Sequence, residues 1–478
     1  MSDNSPRPYD QGPPESVLST MNKDGSRKWI RPKLSKGSLY YRRLVVAWFL
    51  MIIFLVIPHL RMSGKPLMLL DLPKRQFTLF GTTFFATDTI LLLFLLLSIF
   101  LSIFLFTALF GRVWCGWACP QTVYMEFLFR PIEQLIEGSH TKQRKLDEKG
   151  FFGPKRLLKY FIFLLLSMVL AHAFLAYFVG TEQLWQWMQR SPVEHPATFG
   201  VMMIVTGMIF FDFTYFREQT CFVACPYGRF QSVLLDKQSA IVAYDYNRGE
   251  PRARKGKRKK EEPKNAEDWG DCIECNACVV TCPTGIDIRE GLQMECINCT
   301  QCIDACNDIM DKINKPHGLI RYTSQETLET QKKLSWFRPR VFFYPALIIG
   351  VLTLLGVTLA QRETADLTVL RSGRLPYTVL GNGRVSNQVR VKIANRTSEL
   401  RSYHIAIDAP KGVKLIAPVN PLKVGDHEIK STLVFVTAPR ELFNEDGKLS
   451  ITFIVKDDKK TFKAKKVYRL LGLLKGMK

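Results

Sequence analysis

The chain has 478 residues, a net charge of +23 and 47% hydrophobic residues, a mixture too apolar and too basic for a string of ordinary soluble domains. The apolar residues come in blocks, so the basic excess points to membrane topology rather than to nucleic acid, for which no binding motif is present.

In chain order, residues 1–43 are polar and rich in Pro, Ser, Lys and Arg, without the early apolar core of a cleavable signal peptide. They read as a disordered cytosolic tail. Five apolar runs follow, at 44–60, 88–110, 157–179, 199–216 and 341–360, read as crossings of about 30 Å of hydrocarbon, the short first run with help from its flanks. Five crossings put the two ends of the chain on opposite sides. Lys and Arg gather in 1–43, in the loop 111–156 and in 217–340, whereas the loop 180–198 has Arg190 alone among Lys and Arg. Basic loops stay in the cytosol, so these three segments share that side and the loops 61–87 and 180–198 lie outside. The four Lys and Arg residues of 61–87 run against this trend. The run Pro251 to Asn265, dense in Lys and Arg, reads as a solvated linker that enforces topology. Beyond the last span, 361–478 alternates apolar and polar residues with Asn-Gly, Pro-Lys-Gly and Asp-Gly turns. About seven short strands of this kind predict an immunoglobulin-like β-sandwich.

Eight of the twelve cysteines lie between Asp271 and Asn307. Cys272, Cys275, Cys278 and Cys282 make C-x2-C-x2-C-x3-C-P, and Cys296, Cys299, Cys302 and Cys306 repeat the spacing, with Asn307 in place of the second proline. In this bacterial two-cluster ferredoxin pattern three thiolates on a tight loop hold one cubane, and the fourth ligand comes from the other half. Cys272, Cys275, Cys278 and Cys306 are thus assigned to one 4Fe-4S cluster, and Cys296, Cys299, Cys302 and Cys282 to the other. The alternative is a pair of four-cysteine zinc sites, which are built from separated C-x2-C knuckles rather than from a tandem triple run. Free thiols and air-sensitive clusters belong in a reducing compartment, in keeping with a cytosolic ferredoxin insert.

The other four cysteines form two C-x3-C-P motifs, Cys115 with Cys119 and Cys221 with Cys225. One follows the second span and the other the fourth, so all four thiols are expected near the cytosolic membrane surface. On a helix, residues four apart share a face, which would let each pair present two sulfurs to one point. The structural alternative is a set of small buried residues at helix ends. Soft thiolates suit Cu(I), and a four-thiolate site can also hold a further iron-sulfur centre or zinc. Asp212 and His172 lie in spans, the first close enough to Cys221 to tune that site or simply to reach headgroup water, and the second expected as a hydrogen-bond partner between helices. Trp114, Trp117, Trp185 and Trp187 fit an interfacial belt.

With these motifs, five spans and a β-sandwich, the chain resembles the cytochrome c oxidase accessory protein family CcoG, also called FixG or RdxA, along nearly its whole length. Its membrane and ferredoxin part also resembles NapH-type quinol dehydrogenase subunits, which lack the outer β domain. The resemblance implies a multi-domain integral protein of the bacterial inner membrane, with a five-helix bundle, a two-cluster ferredoxin insert and an outer sandwich. It implies reduction of Cu(II) to Cu(I) for a copper-exporting P-type ATPase and for assembly of a cbb(3)-type oxidase. Cys115, Cys119, Cys221 and Cys225 match the family's proposed copper site, with copper as substrate ion. The expected partners are the membrane, the ATPase, the oxidase subunits and an unidentified cytosolic electron donor, with a homodimer left open. Two other readings stand beside this one: quinol oxidation, and a non-enzymatic scaffold for oxidase assembly.

Overall fold

The computed structural model describes residues 19–473, apart from 22–23, 25, 63, 73, 86–87, 149, 151–152, 253–268, 332–338, 374, 382 and 398. The basic run 251–265 falls almost wholly outside the described residues. The chain divides into two units, Met1–Thr82 with Leu93–Thr353, and Thr83–Leu92 with Leu354–Lys478.

Five helices are long and apolar enough to cross a membrane: α1 (Ser38–His59), α2 (Thr89–Phe110), α3 (Pro154–Val179), α4 (Pro196–Phe216) and α5 (Val341–Ala360). Unbroken Leu, Ile, Phe and Val runs form helices here because a helix satisfies every backbone group within the segment. Prolines at the first turn of α3 and α4 cost no hydrogen bond, and Gly180 at a positive φ of 86° ends α3. The first helix begins at Ser38 rather than near Leu44, because its first turn is held from outside: the backbone N–H of Tyr40 donates to Asp304 at 2.7 Å.

A segment expected to be disordered is ordered, and the loop 111–156 carries helices. Residues 26–37 were read as part of a disordered tail, yet they run extended over the ferredoxin half. The N–H of Lys33 donates to the carbonyl of Val280 at 3.0 Å, and Thr281 Oγ1 donates to the carbonyl of Lys33 at 2.7 Å. The stretch 111–156, read as a loop, holds the helices Pro120–Tyr124 and Arg130–Glu137 joined by a π-helical turn, Met125–Phe129. Its aromatic run buries itself among α1, α3 and α4. Phe129 stacks on Phe213 at 4.2 Å and meets Phe163 edge-on at 4.8 Å, while Tyr124 meets Phe54 edge-on at 6.1 Å.

Charge fixes this inserted helix from the other side. Glu133, fully buried, accepts from Arg31 Nη1 at 2.6 Å, from Arg217 Nη1 and Nη2 at 2.9 and 2.8 Å, and from Lys159 Nζ at 3.2 Å. One carboxylate thereby joins the N-terminal strap, the start of α3 and the turn after α4. Arg130 of the same helix pairs with Glu126 and Glu218.

The ferredoxin half is closed by a two-stranded antiparallel ladder, Ile241–Tyr244 against Ile320–Thr323. In the second unit the strands are β1 (Ala365–Arg371), β2 (Thr378–Val379), β3 (Arg384–Asn395), β4 (Arg401–Asp408), β5 (Lys414–Ile416), β6 (Leu422–Val424), β7 (Ile429–Pro439), β8 (Lys448–Asp457) and β9 (Lys463–Leu471). They form two sheets, β5-β7-β3-β1 with β2 beside β3, and β6-β4-β8-β9. This is the expected β-sandwich, with nine strands among the described residues rather than about seven. Alternation decides which face is inside: Val389, Val391 and Ile393 on β3 and Val434 and Val436 on β7 meet Ile405 and Phe453 of the other sheet, all in one buried core. Phe453 is fully buried, so Phe453→Ala is expected to cost about 3–5 kcal/mol. Thermal unfolding followed by the β signal of the full-length protein in detergent should show the transition at a lower temperature.

Candidate metal centres

The two ferredoxin repeats are built alike. Glu274 and Asn276 in the first loop, and Asn298 and Thr300 in the second, all adopt positive φ between 53° and 64°. Such turns cost strain in residues other than glycine, and they curl the loop so that its N–H groups face inward. A helix then carries the third cysteine of each repeat, Cys278 in Ala277–Thr281 and Cys302 in Gln301–Lys312.

Two enclosed pockets collect these cysteines. One is lined by Cys272, Cys275, Cys278 and Cys306, with Tyr244, Met310 and Ile320 beside them. The other is lined by Cys282, Cys296, Cys299 and Cys302, with Cys278 between the two. Each pocket therefore takes its fourth cysteine from the other repeat. Among the described residues no three His, Cys, Asp or Glu side chains draw in to the distance of a single metal ion. Four thiols lining each pocket fit a 4Fe-4S cluster. Burial pushes the free thiols up, Cys296 to about 11 and Cys299 and Cys306 to about 12, so the thiolate form there requires a bound metal.

The C-x3-C-P motifs repeat a second local design. Cys115 sits in the short helix Val113–Trp117 and Cys221 in the π-helical turn Thr220–Ala224. Cys119 and Cys225 are the extended residues just before the next helices, whose first positions are Pro120 and Pro226. The expectation that each pair shares one helix face is therefore not met. Proline disfavours helical backbone in the residue before it, so each motif bends between its two cysteines. The bend is the same twice, with Cys119 N–H donating to Trp114 and Cys225 N–H to Thr220, both at 2.8 Å. All four thiols lie within electrostatic reach of one another. Burial pushes the Cys115 thiol up to about 11. Arg112, 4% exposed, pins the second motif by donating from Nη2 to the carbonyl of Gly228 at 3.0 Å.

Sequence reasoning did not reveal how these thiols relate to the ferredoxin pockets. Cys115, Ile297 and Cys299 form one buried group. Gly116 lies so close to the second repeat that a Cβ there would stand 2.5 Å from the carbonyl oxygen of Ile297. Trp117 Nε1 donates to Tyr322 Oη at 3.2 Å, and Tyr322 donates to the carbonyl of Asn298 at 3.0 Å. Trp117 is thus part of this junction rather than of an interfacial belt, and Gly116, between Cys115 and Trp117, was the one signal of close approach. Asp212 accepts from Thr220 Oγ1 and, at 3.3 Å, from Gln121 Nε2, so it ties the two C-x3-C-P segments together. His172 bonds the carbonyl of Met168 in its own helix at 2.8 Å instead of reaching a neighbouring helix.

Residues 216–325 match the profile of a 4Fe-4S dicluster domain, 92–138 that of a 4Fe-4S binding domain, and 355–472 that of an IG-like fold at the C-terminal of FixG. Protein RdxA of Cereibacter sphaeroides is 36% identical over 378 residues, covering 76% of this chain and 78% of RdxA. The chain belongs to the FixG/RdxA family. The nitrogen fixation protein FixG of Rhizobium meliloti is 32% identical over 476 residues, covering 88% of each protein. A crystal structure of a FixG-related protein from Vibrio parahaemolyticus is similar to 24% of the chain, with 20% identity and a TM-score of 0.22. As a FixG/RdxA protein, the chain is an iron-sulfur electron-transfer protein with membrane helices, and its cysteine pockets fit that chemistry.

Proposed function

We propose that this FixG/RdxA chain is a cupric reductase, which passes single electrons from a cytosolic donor to Cu(II) held by Cys115, Cys119, Cys221 and Cys225. The Cu(I) formed would go to a copper-exporting ATPase and on to a cbb(3)-type oxidase, the partners that the family resemblance implies. The carrying observation is the shared burial of Cys115 with Ile297 and Cys299, which brings a C-x3-C-P thiol into the same buried group as a cysteine of the second pocket.

The residues give the transfer an order. Cys275 is exposed and lines the first pocket, Cys278 lines both pockets, Cys299 lines the second, and Cys115 adjoins it. Bound in the two pockets, 4Fe-4S clusters supply one-electron storage and transfer. Each Cu(II) takes one electron and no proton, so the balance needs only a one-electron protein donor on the Cys275 side. Thiolates favour the product because Cu(I) is the softer ion. An open set of thiols suits an ion that is taken up and handed on. The Lys and Arg of 111–156 and 217–340 support a cytosolic placement of these sites, with the sandwich on the far side of a bacterial inner membrane.

The test is single-turnover Cu(II) reduction by the anaerobically reduced protein, read with a Cu(I)-specific chelator. Cys119→Ser and Cys225→Ser are expected to slow Cu(I) formation about 100-fold while iron stays at about eight per chain. Equal rates in wild type and both variants would mean adventitious reduction, and would return the quinol and scaffold readings.

A further inference from the structure

Arg43 stands out among the buried charges. It lies in the second turn of α1 with 1% of its surface exposed, and its Nε donates to the carbonyl of Gly116 at 3.0 Å. Its guanidinium sits 5.2 Å from the Phe127 ring centroid, and neither Nη1 nor Nη2 has a partner. Among the described residues no carboxylate pairs with it. Asp304, the acid close to this turn, is engaged by the N–H groups of Leu39 and Tyr40. A guanidinium so placed is costly unless a negative charge comes to meet it.

The neighbourhood shows where that charge would be. Arg43 holds Gly116, which packs on the backbone of Ile297 and Asn298, and the charge of Arg43 is felt at Cys299. Arg112, likewise without a carboxylate, donates to the carbonyls of Met294 and Gly228 and is felt at Cys296. The first pocket is different. Arg289, which lines it, is paired with Asp287, and Arg248 nearby is paired with Asp271. Arg289 and Arg248 are thus cancelled by their own acids, whereas Arg43 and Arg112 are not.

We propose that Arg43 is the counter-charge for the centre held by Cys282, Cys296, Cys299 and Cys302, and that it makes this centre the more readily reduced of the two. Four thiolates give such a centre a net negative charge, which grows by one on reduction, so a fixed cation beside it stabilises the reduced form. An electron that enters by way of Cys275 is then held beside Cys115. The inference rests on the ligand assignment above but not on the identity of the final acceptor.

The experiment is an anaerobic redox titration of the full-length protein by electron paramagnetic resonance, for wild type, Arg43→Gln and Arg43→Lys, with iron and sulfide counted in each. In Arg43→Gln the higher midpoint should move negative while the lower stays. Poised at the wild-type midpoint, the reduced-to-oxidised ratio of that centre should fall about tenfold, equivalent to about 59 mV for one electron. Arg43→Lys should recover most of the shift. Unchanged midpoints, or equal shifts in both, would overturn the proposal. If Arg43→Gln loses half its iron, retention in Arg43→Lys supports the need for charge, and loss in both overturns it in favour of a packing role. Wild type lacking about eight irons would instead remove the ligand assignment.

Discussion

Glu133→Ala is expected to leave little folded protein. The carboxylate is the common acceptor for Arg31, Arg217 and Lys159, and removing it breaks three buried pairs at once, leaving Arg31 to Asp147, Lys159 to Glu137 and Arg217 to the more distant Glu218. Breaking a single buried pair costs about 3–5 kcal/mol, against a total stability of about 5–15 kcal/mol for a domain. Size-exclusion chromatography and a thermal scan in detergent should show a loss of the monodisperse peak, and Glu133→Gln should behave nearly as badly. Full recovery of either variant with a wild-type profile would mean that the aromatic packing of Phe129, Phe163 and Phe213 carries the inserted helix unaided. Acid should be tolerated well. Burial alone would raise this carboxyl, but Arg217 and then Arg31 outweigh it and hold it well below the usual range. Its stabilisation is therefore fully present above the unfolded value of about 4.3 and is lost only as pH falls through the lower folded value.

Gly116→Ala is expected to uncouple the two halves of the electron path without emptying either. The added methyl would meet the carbonyl oxygen of Ile297 at 2.5 Å and the backbone of Asn298 at 2.9 Å. Backbone on both sides leaves no flexible side chain to yield, so the C-x3-C-P helix and the second ferredoxin loop must separate. A misplacement of about 1 Å at a reacting pair can cost about 100-fold in rate. Single-turnover Cu(I) formation should slow to that degree, while reduction by the external donor and the iron content stay as in wild type. An unchanged copper rate would show that the close approach of the Cys115–Trp117 segment to Ile297 and Asn298 is not the route.

Much of the site was legible because it is written in local spacing. The tandem cysteine runs assign their ligands by spacing, and Cys282 and Cys306 each line the pocket of the opposite repeat. The C-x3-C-P motifs announced paired thiols, although their geometry was misread. A regular helix was assumed where Pro120 and Pro226 force a bend. The tail was misjudged for a related reason: residues 26–37 are polar and lack periodicity, yet they are ordered by bonds to Val280, Thr281 and Gln301, partners far away in sequence.

By itself the sequence determined the five apolar helices, the sandwich and the eight ferredoxin cysteines, since each depends on a period or a spacing within one segment. Only the tertiary structure decided that Cys115 shares one buried group with Cys299, that Arg43 is buried against Gly116 without an acid, and that Glu133 gathers three cations. The spans are apolar nearly all round, so their pattern gives no direction for packing. Which loops meet at their ends is settled by the inserted helix 120–137, whose buried face and charges find partners only when α1, α3 and α4 close around it.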